Sequence, residues 1–432
     1  MERPVPDVTA VDVAERAASG TYPVPAGRVR WRTTLHNRQY ASNVSYASLA
    51  VAEFTEAITR KLDQQWNTPA TYTFTLDGHD PAAAQVHELA QDVIVWRWDD
   101  QVGYDRPMFR GPICQSQDTV TEQSHTVTFT CHDYLALLAR RLLTFNGQWT
   151  QTNVDQDDIV WQFLAMCKNP TASGGTSFPN SGFLPVTAQN VNPDGSTRAA
   201  KSGQIRVRNY VAQQTFDTML ADLAAVINGF DFDILPITAS NSDSLRIFYP
   251  NQGVTRTTPA LVYGSTISGL VRSVNSADYG NYIRVLGNNQ QSDPTIVQLY
   301  AETWNNDATN GNLGAVGLWM TGDNAASVTD QATLTQQAAG DLVLDGLLTP
   351  TYAVTMRPGA YSWGNPNMGD TVPLVVQSGR LNVSTYARVV GISYAIGDDS
   401  QEDVTLTLGK PLIPLAQLLA DTARDVDALA RR

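Results

Sequence analysis

The sequence predicts a mainly β protein with embedded helices, a β-rich α+β fold. Hydrophobic residues make up 42% of the 432 residues and charged residues 16%, and 30 glycines and 22 prolines supply many turns. This composition is typical of a turn-rich globular protein and differs from that of a disordered chain. Short segments that alternate apolar and polar residues recur in the first and last thirds of the chain. The length indicates roughly two to four domains.

The first β domain is predicted over residues 28–145, after an N-terminal arm of residues 1–27 that is rich in proline, alanine and small polar residues. Alternation predicts half-buried strands at Val29–Thr33, Tyr72–Leu76, Val93–Trp98 and Val127–Cys131.

Two helices are predicted between these strands. The first follows the helical spacing of Val51, Phe54, Ile58 and Leu62. The second covers residues 81–90, because Asp80 suits the N-cap and the proline that follows suits the first helical position.

Residues 146–255 are predicted to form peripheral mixed α/β domains with long loops. A helix is expected at Asp157–Cys167, and the sequence rich in glycine, serine and asparagine that follows, up to Ser202, predicts exposed loops. Thr215 is expected to cap a second helix that ends at Asn228-Gly229. Strands are expected at Phe230–Leu235 and Leu245–Tyr249.

Residues 256–410 are predicted to form a second β domain with one helix around Leu334, Ala338 and Leu342. Its strands are expected at Ile283–Leu286, Tyr352–Met356, Thr371–Val376, Arg388–Ile396 and Val404–Leu408. Two regions of several strands with one or two helices each indicate two similar β domains.

An amphipathic helix is predicted for the C-terminal residues 411–432. Leu415, Leu419, Thr422, Val426 and Leu429 step by four and three, which is a heptad stripe. About two heptads are too few to hold a coiled coil alone. The helix therefore either packs on its own domain or contacts another subunit.

Charge, cysteines and hydropathy limit the function classes. The net charge of −13 and the pI of about 4.8 disfavour ordinary nucleic-acid binding, because such a surface repels phosphates. Cys114, Cys131 and Cys167 show no disulfide or metal-site spacing, which fits a reducing cytoplasm. We expect no membrane insertion, because no apolar run is long enough to span a bilayer.

Local enzyme motifs such as GxSxG, GxxxxGK[ST] or GxGxxG after a strand do not occur. His87-Glu88 and Cys131-His132 lack metal-ligand spacing. The acidic groups Asp99-Asp100, Asp155 to Asp158 and Asp398-Asp399 stand where turns or helix starts are expected, so we predict that they cap backbone amides. We expect no enzyme activity and assign no catalytic, cofactor-binding or metal-binding residue.

A set of short motifs appears in order along the chain. Those in the last third are LVYGSTI at Leu261–Ile267, NYIRVLG at Asn281–Gly287, GDTV at Gly369–Val372, RVVGI at Arg388–Ile392 and VTLTLG at Val404–Gly409. Upstream lie Phe109-Arg110-Gly111 and NGFDFD at Asn228–Asp233. Over roughly residues 28–410, this order resembles the tail hub proteins, also called minor tail proteins, of long-tailed siphovirus phages of actinobacteria. Those proteins are related to the baseplate hubs of contractile tails.

The resemblance implies a structural virion protein at the phage tail tip, assembled in the host cytoplasm. It implies a homotrimer in which each subunit gives two β-barrel-like tube domains, here residues 28–145 and 256–410, to a ring that closes the tail tube. The implied partners are the distal tail protein ring, the tape measure protein, tail-tip or receptor-binding proteins, and DNA passing through the lumen. Receptor binding and cell-wall hydrolysis would then belong to other proteins.

The acidic balance agrees with a channel for DNA. Three chains carry 3 × −13 = −39 formal charges, and a negative lumen would not hold passing DNA. This expectation fails if the strands that face the lumen are basic.

Three other functions stay open from the sequence. Another tail-tip component, the hexameric distal tail protein, would share the β content. A carbohydrate-binding host-adhesion protein would use the loops between Gly174 and Ser202, or an exposed patch made by Trp96 and Trp98. A hydrolase would need a dispersed pair of carboxylates.

Overall fold

The computed structural model describes residues 29–38, 49–55, 57–99, 104–142, 148–168, 186–211, 214–224, 228–236, 242–276, 279–292, 295–305, 316–324, 331–346, 350–361, 364–397 and 402–409. Strands outnumber helices, so the predicted β-rich α+β class is confirmed. The predicted N-terminal arm, the predicted C-terminal helix and Asp398-Asp399 lie outside the described residues. None of the described helices is long and apolar enough to cross a membrane.

The strands, in chain order, are β1 (Val29–Asn37), β2 (Ala50–Glu53), β3 (Thr59–Gln65), β4 (Thr71–Asp77), β5 (Gln91–Asp99), β6 (Asp105–Val120), β7 (His125–His132), β8 (Gln148–Asp155), β9 (Val186–Val191), β10 (Ile205–Val211), β11 (Asp231–Leu235), β12 (Asp243–Phe248), β13 (Leu261–Val262), β14 (Ile267–Ser273), β15 (Tyr282–Ser292), β16 (Thr295–Trp304), β17 (Met320–Asn324), β18 (Thr351–Met356), β19 (Thr371–Ser378), β20 (Leu381–Ile396) and β21 (Glu402–Gly409). The α-helices are α1 (Tyr134–Leu138), α2 (Gln156–Lys168), α3 (Phe216–Ala224) and α4 (Gln331–Asp345). The strands and helices predicted from residue 157 onward are confirmed among the described residues, as are the four strands predicted in residues 29–131. The exposed loops predicted up to Ser202 are wrong at β9, which pairs with β12 and buries Val186 and Val191.

One large sheet contains 13 strands in the order β14-β18-β21-β20-β3-β4-β7-β6-β5-β1-β2, with β19 beside β20 and β13 beside β19. Strands from the first and last parts of the chain meet where β20 pairs antiparallel with β3, with Tyr394 opposite Leu62. The order has two ends, β14 and β2, so the described strands of one chain form no closed barrel.

The large sheet bends at the long strand β6. Its first half pairs with β5 and its second half with β7, and the register with β7 shifts between Ile113 and Gln115. Gly111 allows β6 to approach β7 closely, because a Cβ there would lie 1.9 Å from the carbonyl oxygen of His132. The residue at this point of the bend must therefore be glycine.

After this bend, β1, β2 and β5 pack over β3 and β4 as a second layer. The hydroxyls of Thr33 and Tyr72 lie 2.6 Å apart, and the rings of Phe54 and Phe74 lie 5.0 Å apart. These side chains are buried, so the core of this region lies between the two layers.

The mixed region combines a two-stranded sheet of β8 and β10 with a three-stranded sheet in the order β11-β12-β9. Helices α1, α2 and α3 share one hydrophobic core with these sheets, which includes Leu138, Phe163 and Leu220. Asp133 caps α1 by accepting a hydrogen bond from the backbone N–H of Leu135.

Residues 271–352, within the segment predicted as the second tube domain, form a compact unit of their own. Its sheet has the order β16-β15-β17, in which β15 is antiparallel to β16 and parallel to β17. Helix α4 covers one face, where Ile283 and Val285 pack with Leu334 and Ala338.

The helix predicted from Val51, Phe54, Ile58 and Leu62 is wrong, because the segment contains β2 and β3. Strands from elsewhere in the chain bind its amides: the N–H of Phe54 donates to the carbonyl of Thr33, and that of Ile58 donates to Thr75, both at 2.8 Å. Tertiary pairing here overrides a helical spacing.

The helix predicted at residues 81–90 is also wrong, since the structure has only a 3₁₀ turn at Ala83–Gln85. Asp80 does accept from the backbone N–H of Ala82, as a capping residue would. The chain then turns away, because Leu89 has a φ of 61° and donates its N–H to the carbonyl of Ile113 on β6.

Candidate functional site

The histidine and cysteine pairs singled out in the sequence make local structural bonds. Glu88 accepts a hydrogen bond from Ser116, and the Nδ1 of His132 lies 3.2 Å from the hydroxyl of Thr71. Cys131 is buried in β7, and burial raises its thiol pKa well above the usual value. Within the described ranges, no three His, Cys, Asp or Glu side chains form a group that could hold a metal ion.

The acidic run at the start of α2 fixes a neighbouring loop. Asp155 accepts from the hydroxyl of Ser202 at 2.8 Å and from the N–H of Gly203 at 2.7 Å. Asp157 accepts from the N–H of Ser202 and pairs with Arg198 at 3.0 Å. These carboxylates therefore act as caps and loop anchors, which agrees with their predicted role.

The tryptophans considered as a sugar-binding patch have protein partners. Trp96 donates its indole N–H to the hydroxyl of Thr34 at 2.8 Å, and the guanidinium of Arg30 lies 4.4 Å from the ring centre of Trp98. Both rings are half-buried. The hydrogen bond and the cation–π contact give them a role within the sheet.

One face of the large sheet is polar over its described residues, and we call it the polar face. It consists of the side chains of β3, β4, β7, β20 and β21 that point away from the core: Thr59, Lys61, Asp63, Thr71, Thr73, Thr75, Asp77, Thr126, Thr128, Thr130, His132, Ser393, Ala395, Asp403, Thr405 and Thr407. The alternate residues of these strands, such as Leu62, Phe74 and Phe129, are buried. Strand alternation therefore separates a polar face from an apolar face.

Strand register makes the polar face continuous across both β regions. Lys61 on β3 lies opposite Thr73 on β4 and opposite Ala395 on β20. The next pairs connect Thr73 to Thr130, and Ala395 to Asp403. A single row of side chains thus crosses five strands, from residue 403 to residue 130.

Hydroxyl groups on the polar face bond to one another. The hydroxyl of Thr75 lies 3.0 Å from that of Thr59 on one side and 3.0 Å from that of Thr128 on the other. Cross-strand threonine pairs stabilise a sheet, and their bonds hold the side chains in fixed positions. The result is a surface that is polar and carries few charges.

Few charges lie on the polar face, and they are mostly acidic. Lys61 pairs with Asp63 at 2.8 Å, Asp77 lies 3.0 Å from the Nδ1 of His79, and Asp403 adds a further carboxylate. The face is therefore weakly negative and offers no basic stripe that could hold a phosphate backbone.

Buried ion pairs connect β5, in the layer behind the polar face, to β21, which carries part of that face. The guanidinium of Arg97 on β5 binds Glu402 on β21 at 2.7 Å and Asp99 at 2.7 Å, and all three side chains are nearly inaccessible to solvent. Trp31 also donates to Glu402 at 3.0 Å. Removing one partner of such a group leaves a buried charge, so these contacts keep the two layers in register.

The polar face was not predicted from the sequence, although the threonine pattern of two of its strands is visible there. Threonines at every second position in residues 71–75 and 126–130 mark one side of two strands. The pairing of β3 with β20, more than 300 positions away in the chain, leaves no local signal.

Comparison with known proteins yields structural relatives only. No protein-family model matches the sequence. No curated protein sequence matches it either. The 43 kDa tail protein of prophage MuSo2 from Shewanella oneidensis is similar in structure, with a TM-score of 0.55 and 11% identity over 88% of this chain and 98% of that one.

A tail protein from Neisseria meningitidis MC58 is similar to the same degree, with a TM-score of 0.53 and 11% identity over 88% of this chain and 97% of that one. The chain shares the fold of these two tail proteins. A chain of the Francisella PdpA–VgrG complex gives a TM-score of 0.50 and 7% identity over 89% of this chain, which spans about half, 53%, of that longer chain.

Proposed function

We propose that this chain is a structural virion protein of a phage tail, and that it forms the trimeric hub that closes the distal end of the tail tube. The observation that carries the proposal is the polar face, a continuous sheet surface without a basic stripe, in a chain that shares the fold of two tail proteins, one of them from a prophage. Such a surface suits the wall of a channel through which DNA passes without being held.

The width of the sheet favours several copies over one and is compatible with three. Eight adjacent strands run from β14 to β6. A closed barrel of about eight strands is filled by side chains, whereas barrels of roughly 16 to 18 strands leave an aqueous channel. A polar face needs water, so one chain closed on itself does not suit it. Three copies would give 24 strands and a wall of at least about 18 Å backbone radius, from a strand spacing of about 4.8 Å.

This function assigns partners and a location. The trimer would join the distal tail protein ring to the tail-tip and receptor-binding proteins, with the tape measure protein and then DNA in its lumen. Its location would be the tail tip of a siphovirus particle that infects an actinobacterium, after assembly in the host cytoplasm. In this role the chain has no catalytic task.

The first test is the molar mass of the purified full chain, measured by light scattering over a range of concentrations. The hub predicts about 141 kDa, three times the subunit mass of 47.0 kDa. A hexamer of about twice that mass would contradict the hub and favour the distal tail protein. A monomer at every concentration would contradict self-assembly.

A second test addresses the channel. Thr73→Arg and Thr130→Arg place a cation in the middle of the polar face, whereas Thr152→Arg, on an exposed position of β8, is the matched control. We expect phage particles carrying the first two variants to assemble normally and to release DNA more slowly, with a dependence on salt concentration. Equal release from all three particles would refute the lumen assignment.

A further inference from the structure

The sheet of residues 271–352 has one face that α4 does not cover, which we call the open face. On β15, Ile283 and Val285 pack against α4. Tyr282 and Arg284 alternate with them, so they lie on the open face. The strands and the helix of this sheet belong to one compact unit of the chain.

An apolar row crosses the open face. Tyr282 lies opposite Trp304 on β16 and opposite Met320 on β17. Trp304 is 54% exposed and Met320 is 60% exposed. The rings of Tyr282 and Trp304 are 6.4 Å apart and within 10° of parallel. Rings that share one orientation suit contact with a ligand that has flat apolar faces of its own.

A charged row lies directly beside the apolar row. Arg284 lies opposite Glu302 on β16 and opposite Gly322 on β17. Its guanidinium is 3.5 Å from the carboxylate of Glu302 and 4.6 Å from the ring centre of Tyr300. The side chains of Arg284 and Glu302 are 47% and 30% exposed. These contacts hold a planar set of donors and a carboxylate acceptor within reach of a ligand in solution.

Gly322 leaves a notch in the charged row. Among the described residues, a Cβ at this exposed position would have only the carbonyl oxygen of Arg284 nearby, at 3.5 Å. Met320 and Asn324, two residues before and after it on β17, carry side chains on the same face. The notch therefore has an apolar side at Met320 and polar sides at Arg284 and Asn324.

The charges of the open face limit the class of its ligand. Glu302 repels an anionic ligand and Arg284 repels a cationic one, while the pair is neutral overall. Charged side chains are depleted at the centres of protein–protein interfaces, because an apolar partner strips them of water. A neutral ligand with hydroxyl groups can instead bond to both the guanidinium and the carboxylate.

We propose that the open face binds a neutral saccharide. Small-ligand sites are concave and combine aromatic side chains with a few placed polar groups, as the two rows and the notch do. A sugar ring packs its C–H face on Trp304, while its hydroxyls accept from Arg284 and donate to Glu302. The proposal does not depend on the trimeric hub, because all of these residues belong to one chain.

Isothermal titration calorimetry of the full chain with a panel of neutral oligosaccharides tests the proposal. The panel contains short oligomers of glucose, N-acetylglucosamine, mannose, galactose and arabinose. We expect at least one of them to bind with a Kd of about 1 mM or tighter. Trp304→Ala removes a ring, Arg284→Met removes the donors and Gly322→Val fills the notch, so each should weaken this binding by about tenfold or more.

Trp161→Ala is the matched control, because Trp161 on α2 is 48% exposed and lies outside this sheet. It should leave the binding unchanged, and an unchanged melting temperature of the variants verifies that they fold. Equal affinity of the parent chain and the three variants of the open face would overturn the proposal, as would a panel of which no member binds.

Light scattering separates the saccharide from a protein occupant. We expect Trp304→Ala to have the molar mass of the parent chain at every concentration. A smaller mass for the variant would overturn the proposal and assign the open face to a contact between copies. The mass of the parent chain itself tests the hub, so the two proposals fail by different results.

Discussion

Arg110 on β6 joins the first β region to the mixed region through buried charges, and its removal should be among the most costly single changes in the chain. Its guanidinium binds Asp243 on β12 at 2.9 Å and Asp92 on β5 at 3.3 Å. The side chain of Arg110 is 1% exposed and both carboxylates are 0% exposed. It also stacks on Tyr134, with 4.6 Å between the guanidinium carbon and the ring centre.

The cost of Arg110→Met follows from the charges that it leaves behind. Asp92 keeps Arg38 at 3.1 Å and the hydroxyl of Tyr134 at 2.6 Å, whereas Asp243 loses its buried cation. Removing one partner of a buried pair costs about 3 to 5 kcal/mol. The double variant Arg110→Met, Asp243→Asn should recover about 1 to 3 kcal/mol of this, because the second change removes the buried carboxylate charge that Arg110 compensates in the parent chain.

Urea unfolding followed by tryptophan fluorescence measures these free energies. Arg32→Met is the control, because Arg32 also binds two carboxylates, Glu53 at 2.8 Å and Asp105 at 2.6 Å, but its side chain is 44% exposed. We expect that control to cost less than about 1 kcal/mol. Equal costs for Arg110→Met and Arg32→Met, or no recovery in the double variant, would refute the reasoning.

Two other changes test a buried histidine and the sheet bend. Burial lowers the pKa of His36 from 6.5 to about 4. Between pH 6.5 and pH 4, His36 is therefore protonated in the unfolded chain and neutral in the folded chain. The contribution of His36 to stability should fall by up to about 1.4 kcal/mol per pH unit as the pH falls through that window, so the difference in unfolding free energy between the parent chain and His36→Asn, measured by urea unfolding, should change with that slope; a difference that does not depend on pH would contradict it. Gly111→Ala should lower the free energy of unfolding by about 3 kcal/mol or more, because the added Cβ would meet the β7 backbone. The control is Gly322→Ala, where the added Cβ would lie 3.5 Å from its nearest neighbour, and it should cost about 1 kcal/mol or less. Calorimetry measures both. Similar melting temperatures for the two glycine variants would show that β6 has room to shift.

Alternation in the sequence was sufficient to find strands whose two faces differ sharply. In β4, Tyr72, Phe74 and Leu76 are fully buried while the threonines between them are half-buried, so the polar and apolar positions are unambiguous. Helices α2 and α3 were predictable for a similar reason, since each has an apolar stripe and a polar residue at its start.

The wrong helix at residues 51–62 shows the limit of spacing arguments. Phe54 and Leu62 are buried as a stripe would require, but Ile58 is 45% exposed. Four apolar residues at helical intervals also suit two short strands, and only the partner strands β1 and β4 decide between the two. Those partners are distant in the chain, so a local pattern cannot reveal them.

The pairing of β3 with β20 is the step that converts two separate β regions into one surface. With Asp63 opposite Ser393 and Lys61 opposite Ala395, the polar positions of one region continue those of the other. A register slip of one residue would place Leu62 and Tyr394 on that surface and bury the lysine, which the core behind the sheet forbids. The same packing that stabilises the fold therefore fixes the chemistry of the proposed channel wall, so its weak negative charge and its threonine hydroxyls depend on every strand of both regions being in register.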